Sequence, residues 1–167
     1  MPSARLIGGT RVIGLPKEML MSRYDASMAN EIFRFTHRVT YADCTVGNHI
    51  YYARYLDLLE EARGEFFRHL GNSLLAWQQE GVAFPVLECR IAYKAPARYD
   101  DLLTTELWLT ELGKIRLNFA CRILNQEGKL LVEAATNHVC ASLEEKPRRL
   151  PEELAQRLQS FLSVSVV

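Results

Sequence analysis

Apolar and polar positions along the chain follow two periods, and the elements change where one period gives way to the other. In residues 31–41, EIFRFTHRVTY, Phe33, Phe35, His37, Val39 and Tyr41 share one face, while Arg34, Thr36, Arg38 and Thr40 share the other. That period of two predicts a first strand. Between residues 53 and 70 the period becomes helical: Tyr55, Leu58, Leu59, Ala62, Phe66 and Leu70 fall on one stripe, with Glu61, Glu65 and Arg68 facing away. Gly71 and Asn72 stop this long helix. Asn72 or Ser73 then caps a short second helix, SLLAWQQE, which ends at Gly81. The period of two returns for the rest. Leu87, Cys89, Ile91 and Tyr93 alternate in residues 86–94, Leu103, Thr105, Leu107 and Leu109 in 102–112, and Leu117, Phe119, Cys121 and Ile123 after Gly113. The turn at residues 125–128 leads into a last strand over 129–142, and Pro151 opens a final amphipathic helix carrying Leu154, Leu158, Phe161 and Leu162.

The order is strand, long helix, then four strands joined mostly by hairpins. It predicts an α+β fold, an antiparallel five-stranded sheet wrapped around one long central helix, plus a C-terminal helix. Residues 31–167 form the single domain. Residues 1–30 lack sustained periodicity and are punctuated by Gly8, Gly9, Gly14 and Pro16, as expected of a flexible N-terminal extension. One helix covers one face of such a sheet, so the remaining apolar surface and the open edge predict self-association as a homodimer or homotetramer.

Composition narrows the function classes. The 167 residues hold 20 basic and 20 acidic side chains, for a formal net charge of zero. Nucleic acid, whose binding is driven by phosphate neutralisation, is not an expected partner. No apolar run is long enough to span a bilayer, so no membrane partner is expected. The cysteines, Cys44, Cys89, Cys121 and Cys140, are widely spaced without a CxxC pair. No metal site is expected from them, and free thiols suit the reducing cytoplasm.

Candidate chemistry gathers between the first strand and the long helix. The loop offers Asp43, Cys44, Thr45, Gly47, Asn48 and His49, and the helix start offers Tyr51, Tyr52, Ala53 and Arg54. The run from Val39 to Tyr55, VTYADCTVGNHIYYARY, followed by Leu58, Leu59, Glu60, Glu61, Ala62 and Arg63, resembles the signature of the hotdog-fold acyl-CoA thioesterases, the 4-hydroxybenzoyl-CoA thioesterase-like group above all. The resemblance extends over roughly residues 31–155. It implies hydrolysis of an acyl-CoA or acyl carrier protein thioester to a free acid and a thiol. The implied cofactors are none, since coenzyme A enters as part of the substrate.

The same resemblance implies a loop aspartate as nucleophile or general base and backbone N–H groups at the helix start as oxyanion donors. Thr45 falls where that aspartate is expected, and Tyr52 where a histidine or asparagine is expected. Asp43 stands two positions earlier. In extended backbone it would point to the same side as Thr45, so it is the expected general base. Thr45 and Tyr52 are candidates to orient water or the carbonyl, His49 to act as an acid, a base or a coenzyme A contact, and Tyr51 and Tyr52 to line the acyl pocket. Glu60 matches a helix acid that some hotdog enzymes use catalytically. Cys44 as a nucleophile is the weakest reading, because alternation turns it away from Asp43 and Thr45. Gly47, Asn48, Ala53 and Arg54 shape the substrate side of the loop. Arg90, Lys94 and Arg149 are candidates for the phosphates of coenzyme A. With Thr45 in place of the aspartate, the alternative is a hotdog protein that binds acyl-CoA or acyl carrier protein without hydrolysis.

Overall fold

The computed structural model of the protein describes residues 31–163. The expected N-terminal extension over residues 1–30 lies outside the described residues. Strand β1 is Phe33–Arg38, and a 3-10 turn, Tyr41–Asp43, leads to the short strands β2, Cys44–Thr45, and β3, His49–Ile50. Helix α1 is Arg54–His69 and helix α2 is Leu74–Gln79. Strands β4, Val86–Tyr93, β5, Leu102–Leu112, β6, Arg116–Leu124, and β7, Leu130–Val139, follow, and helix α3 is Glu152–Leu158. The five long strands form one antiparallel sheet in the order β1-β5-β6-β7-β4, while β2 and β3 pair as a separate hairpin.

The sheet curls around α1, as the alternation of its strands requires. Tyr55, Leu58, Leu59, Ala62, Phe66 and Phe67 of α1 are buried against Leu103, Leu107, Leu109, Leu117, Phe119 and Ile123 of the sheet's inner face. Beyond α3, Phe161 packs edge-on against Phe66, with ring centroids 4.9 Å apart, and closes one end of this core. Ser73 caps α2, accepting a hydrogen bond from the Ala76 N–H at 3.1 Å.

The outer face reads differently. Register sets Arg34, Glu106, Arg122 and Glu133 side by side across four strands. Glu106 accepts from both Arg34 and Arg122 at 3.0 and 2.6 Å, and Lys94 pairs with Glu133 at 2.8 Å. Opposite charges directly across strands stabilise this face of the sheet. Trp108 is buried within this face beside Ala120 and Ile32, with the Arg122 guanidinium 5.7 Å from its ring.

Two local expectations differ from the structure. The first strand stops at Arg38, and Tyr41, expected on its inner face, is exposed. The cause is the 3-10 turn that follows, whose i-to-i+3 bond runs from the Asp43 N–H to the Thr40 carbonyl at 3.1 Å. Second, β4 is an edge strand with exposed residues on both sides, Val86, Leu87 and Tyr93 among them.

Candidate active site

Chain geometry at residues 40–54 separates two groups of side chains. Because residues 41–43 turn rather than extend, Asp43 points inward and is only 2% exposed. Its Oδ2 accepts from the Thr40 N–H at 2.7 Å, from the Thr40 hydroxyl at 2.8 Å and from His37 Nε2 at 3.1 Å; its Oδ1 accepts from Arg54 Nε at 2.8 Å. Burial raises the pKa of this carboxyl, but the Thr40 donors, Arg54 and His37 lower it and prevail, so it is held ionised well below the usual carboxylate range. Arg54 extends the network to Asp57 at 2.6 Å and Glu61 at 3.8 Å, and His37 Nδ1 lies 3.7 Å from Glu61. A buried carboxylate that accepts four hydrogen bonds and is held ionised is poorly placed to reach a substrate or to take a proton near neutral pH. The expectation that Asp43 points with Thr45 into one pocket is therefore corrected. It rested on extended backbone, and the backbone there is turned.

Thr45 and His49 sit on the hairpin instead. They face each other directly across β2 and β3, and both are exposed. Directly opposed residues of an antiparallel pair carry their side chains on the same face. The Thr45 hydroxyl donates to the His49 carbonyl at 3.3 Å, a long bond. Gly47 and Asn48 make the hairpin turn with φ of 91° and 57°, which a glycine adopts freely and an asparagine tolerates. The hairpin is fixed to the β4–β5 connection: the Ile50 N–H donates to the Ala97 carbonyl at 3.0 Å, and the Tyr99 N–H to Asn48 Oδ1 at 3.1 Å.

Helix α1 begins beside this hairpin. Its N-cap is Ala53, which has no side chain to close the first turn, and no side-chain cap is made. The Tyr51 N–H is taken by the Asp43 carbonyl at 2.8 Å and the Arg54 N–H by the Tyr51 carbonyl at 2.8 Å. The N–H groups of Tyr52 and Ala53 have no partner among the described residues. An uncapped helix start combines free donors with the positive end of the helix dipole. The Tyr51 and Tyr52 rings meet at a tilt, with centroids 4.8 Å apart, and the Tyr93 hydroxyl donates to the Tyr52 carbonyl at 3.1 Å.

One turn further along α1, a cavity of about 210 Å³ opens between the helix and the inner face of β4 and β7, lined by Leu56, Leu59, Glu60, Arg63, Val86, Cys89, Thr136 and His138. Arg63 pairs with Glu60 and donates to His138 Nδ1 at 2.7 Å, and His138 Nε2 lies 2.9 Å from the Thr136 hydroxyl. Burial and the neighbouring Arg63 push the His138 pKa down to about 4, so the ring is neutral.

The structure thus brings together the hairpin, the helix start and, a turn away, Glu60. Arg90 and Lys94 are not part of that group: alternation from Cys89 places them on the outer face of β4, where Glu88 and Glu133 pair with them. Arg149 lies beyond β7, and its carbonyl is the neighbour of Cys140 Sγ. All four cysteines are free thiols, with Cys44 in the hairpin. Sequence reasoning missed His138 and Cys89 as pocket residues. The signal was present in β7, where Val132, Ala134, Thr136 and His138 alternate inward.

The chain was compared with known proteins. The model of the thioesterase-like superfamily matches residues 39–158. The acyl-CoA thioester hydrolase YbgC of Escherichia coli is 40% identical over 128 residues, spanning 76% of this chain and 96% of that protein. The long-chain acyl-CoA thioesterase FadM of Escherichia coli is 33% identical over 119 residues, 70% of this chain and 89% of FadM. Among solved structures, a probable thioesterase from Bartonella henselae matches with a TM-score of 0.69 at 34% identity, covering 72% of this chain and 100% of that one.

Proposed function

The chain belongs to the thioesterase-like superfamily and has the hotdog fold, and from that membership we propose that it is an acyl-CoA thioesterase releasing a free carboxylic acid and coenzyme A. The observation that carries this reading is the uncapped start of α1, whose Tyr52 and Ala53 N–H groups stand ready beside the Thr45–His49 pair.

In the proposed reaction Thr45 occupies the place of the family's loop aspartate and holds the attacking water. His49 takes the water's proton as its oxygen adds to the thioester carbonyl carbon. The carbonyl oxygen becomes an oxyanion, which the Tyr52 and Ala53 N–H groups and the dipole of α1 stabilise. The C–S bond then breaks, and His49 returns the proton to the departing thiolate. Asp43 and Arg54 hold the hairpin against the helix and do not enter the chemistry. No metal or redox cofactor takes part, and coenzyme A arrives with the substrate. Arg149 is the remaining basic candidate for its phosphates.

We further propose that the protein works in the cytoplasm as a homo-oligomer. The open edge of β4, with Leu87 55% exposed beside Val86 and Tyr93, is the surface a second copy would cover. Among the described residues no helix is long and apolar enough to cross a membrane.

The test is thiol release from short-chain, long-chain and aromatic acyl-CoA thioesters, and from the matching acyl carrier protein thioesters. Turnover is expected on at least one acyl-CoA. Tight binding without turnover of any of them overturns the hydrolase reading. It would establish the non-hydrolytic alternative, which Thr45 in the place of the aspartate favours.

A further inference from the structure

The cavity beside α1 has apolar walls and a polar far end, and that asymmetry bears on the acyl group. Leu56 and Leu59 line the part nearer the helix start, whereas Arg63, Thr136, His138 and its cross-strand partner Val86 lie at the other end. Leu56 and Arg63 are seven residues apart on α1, so the two ends are separated by about 10 Å. Arg63 carries five N–H donors. Among the described residues only His138 and Glu60 take hydrogen bonds from it, and its Nε is buried without a partner there. His138 is neutral, its Nδ1 accepts from Arg63 and its Nε2–H is left to donate to the Thr136 hydroxyl, so neither ring nitrogen is a free acceptor. The far end therefore holds more donors than acceptors. A buried donor without an acceptor costs free energy, which a ligand oxygen would recover. Glu60 already balances the charge of Arg63 and lines the same cavity, so a second carboxylate placed there meets repulsion.

We propose that this cavity is the acyl pocket and that it selects acyl groups of medium length bearing an uncharged oxygen acceptor, a hydroxyl or keto group, at the end remote from the thioester. The inference rests on the thioesterase reading above. The thioester sits at the start of α1, the methylene stem runs past Leu56 and Leu59, and the terminal oxygen accepts from the Arg63 guanidinium.

The test compares octanoyl-CoA, ω-hydroxyoctanoyl-CoA and octanedioyl-CoA on the wild-type protein. The hydroxy substrate is expected to have a kcat/KM about ten- to a hundredfold above the plain one, the range of a single hydrogen bond to a charged donor, with the dicarboxylic substrate lowest. Equal values for the first two, or preference for the carboxylate, overturns the proposal. Arg63→Met is expected to bring the hydroxy-to-plain ratio close to one; an unchanged ratio overturns it. Arg63 is largely buried, so a second variant uses Leu56, which is 45% exposed. Leu56→Phe narrows the entrance and is expected to shift the chain-length optimum to shorter acyl groups, and an unaltered length profile overturns the pocket assignment. Should no thioester turn over at all, the hydrolase reading fails, and calorimetric binding of the same thioesters still decides the pocket. Tighter binding of the hydroxy compound sustains it, and equal binding overturns it.

Discussion

Asp43 and Thr45 are two residues apart and live in opposite surroundings. Asp43 is buried, accepts four hydrogen bonds and pairs with Arg54 across eleven residues of chain. Thr45 is exposed and makes only long contacts to backbone carbonyls, and its cross-strand neighbour His49 is exposed as well. A group whose lone pairs are all satisfied is held in place and is chemically quiet. A group with open valences facing solvent has room for water and substrate. The carboxylate that looks catalytic in the sequence is thus built as an anchor, and in the proposed reaction the chemistry passes to the neighbouring hairpin.

The largest expected effect tests the anchor. Asp43→Ala strands Arg54 and His37 without their shared acceptor and frees the turn before the hairpin. Breaking a buried charge pair by removing one partner costs about 3–5 kcal/mol, and Arg54, one-third exposed, places this case at the lower end of that range. Urea denaturation measures it. An unchanged midpoint together with lost turnover would reverse the comparison and restore Asp43 to the chemistry.

Next comes His49→Ala. Removing a positioned proton acceptor lowers kcat by about 10²-fold or more. The residue is exposed, so the urea midpoint should move by no more than about 0.5 kcal/mol. Loss of activity with intact stability is the opposite signature to that of Asp43→Ala, and the two variants measured side by side separate anchor from chemistry.

These contrasts mark how far the sequence could be read. The long helix and the sheet strands were legible because burial repeats on a period that each residue reports independently: Tyr55 through Phe66 for the helix, Leu103 through Leu109 and Leu117 through Ile123 for the inner face. The role of Asp43 was not legible. It depends on a single 3-10 turn, and nothing in YAD distinguishes a turn from three more residues of strand. Its partners His37 and Arg54 come from either side of the loop and meet only once the fold is formed. Likewise, the placement of Arg90 and Lys94 depends on the parity of one strand. Alternation fixed that parity in the sequence, since Cys89 and Ile91 point inward, yet the two cations were read for their charge rather than for their face.

Acidity extends the comparison to the cavity. His138 has a folded pKa of about 4 against an ordinary 6.5, so between those values the unfolded chain binds a proton that the folded chain refuses. Stability therefore falls as pH drops from 6.5 to 4, by up to ~3 kcal/mol, and this contribution is flat below 4. Asp43 has the sign of a depressed carboxylate: its stabilisation is in place above about pH 4, the unfolded value, and is lost as pH falls further. Urea midpoints taken across pH 3–7 should show two successive declines. His138→Gln is expected to flatten the upper one and Asp43→Asn the lower one. A single decline abolished by either variant alone would show that the two regions titrate as one.

The smallest effect concerns Thr45 itself. Thr45→Val keeps the β-branched shape that suits a short strand and removes only the hydroxyl. If that hydroxyl holds the attacking water, its loss costs roughly one hydrogen bond in the transition state, about tenfold in kcat, while KM stays near the wild-type value because the bond is made to water and not to the acyl chain. Thr45→Ser should restore most of the rate, since it returns the donor and acceptor without the methyl group. A merely structural Thr45 predicts the reverse ranking. There Val, the better strand former, would be silent, and Ser, with the weaker strand preference, would be the damaging change. The order of Val and Ser in kcat therefore decides whether Thr45 serves the reaction or only shapes the hairpin around His49.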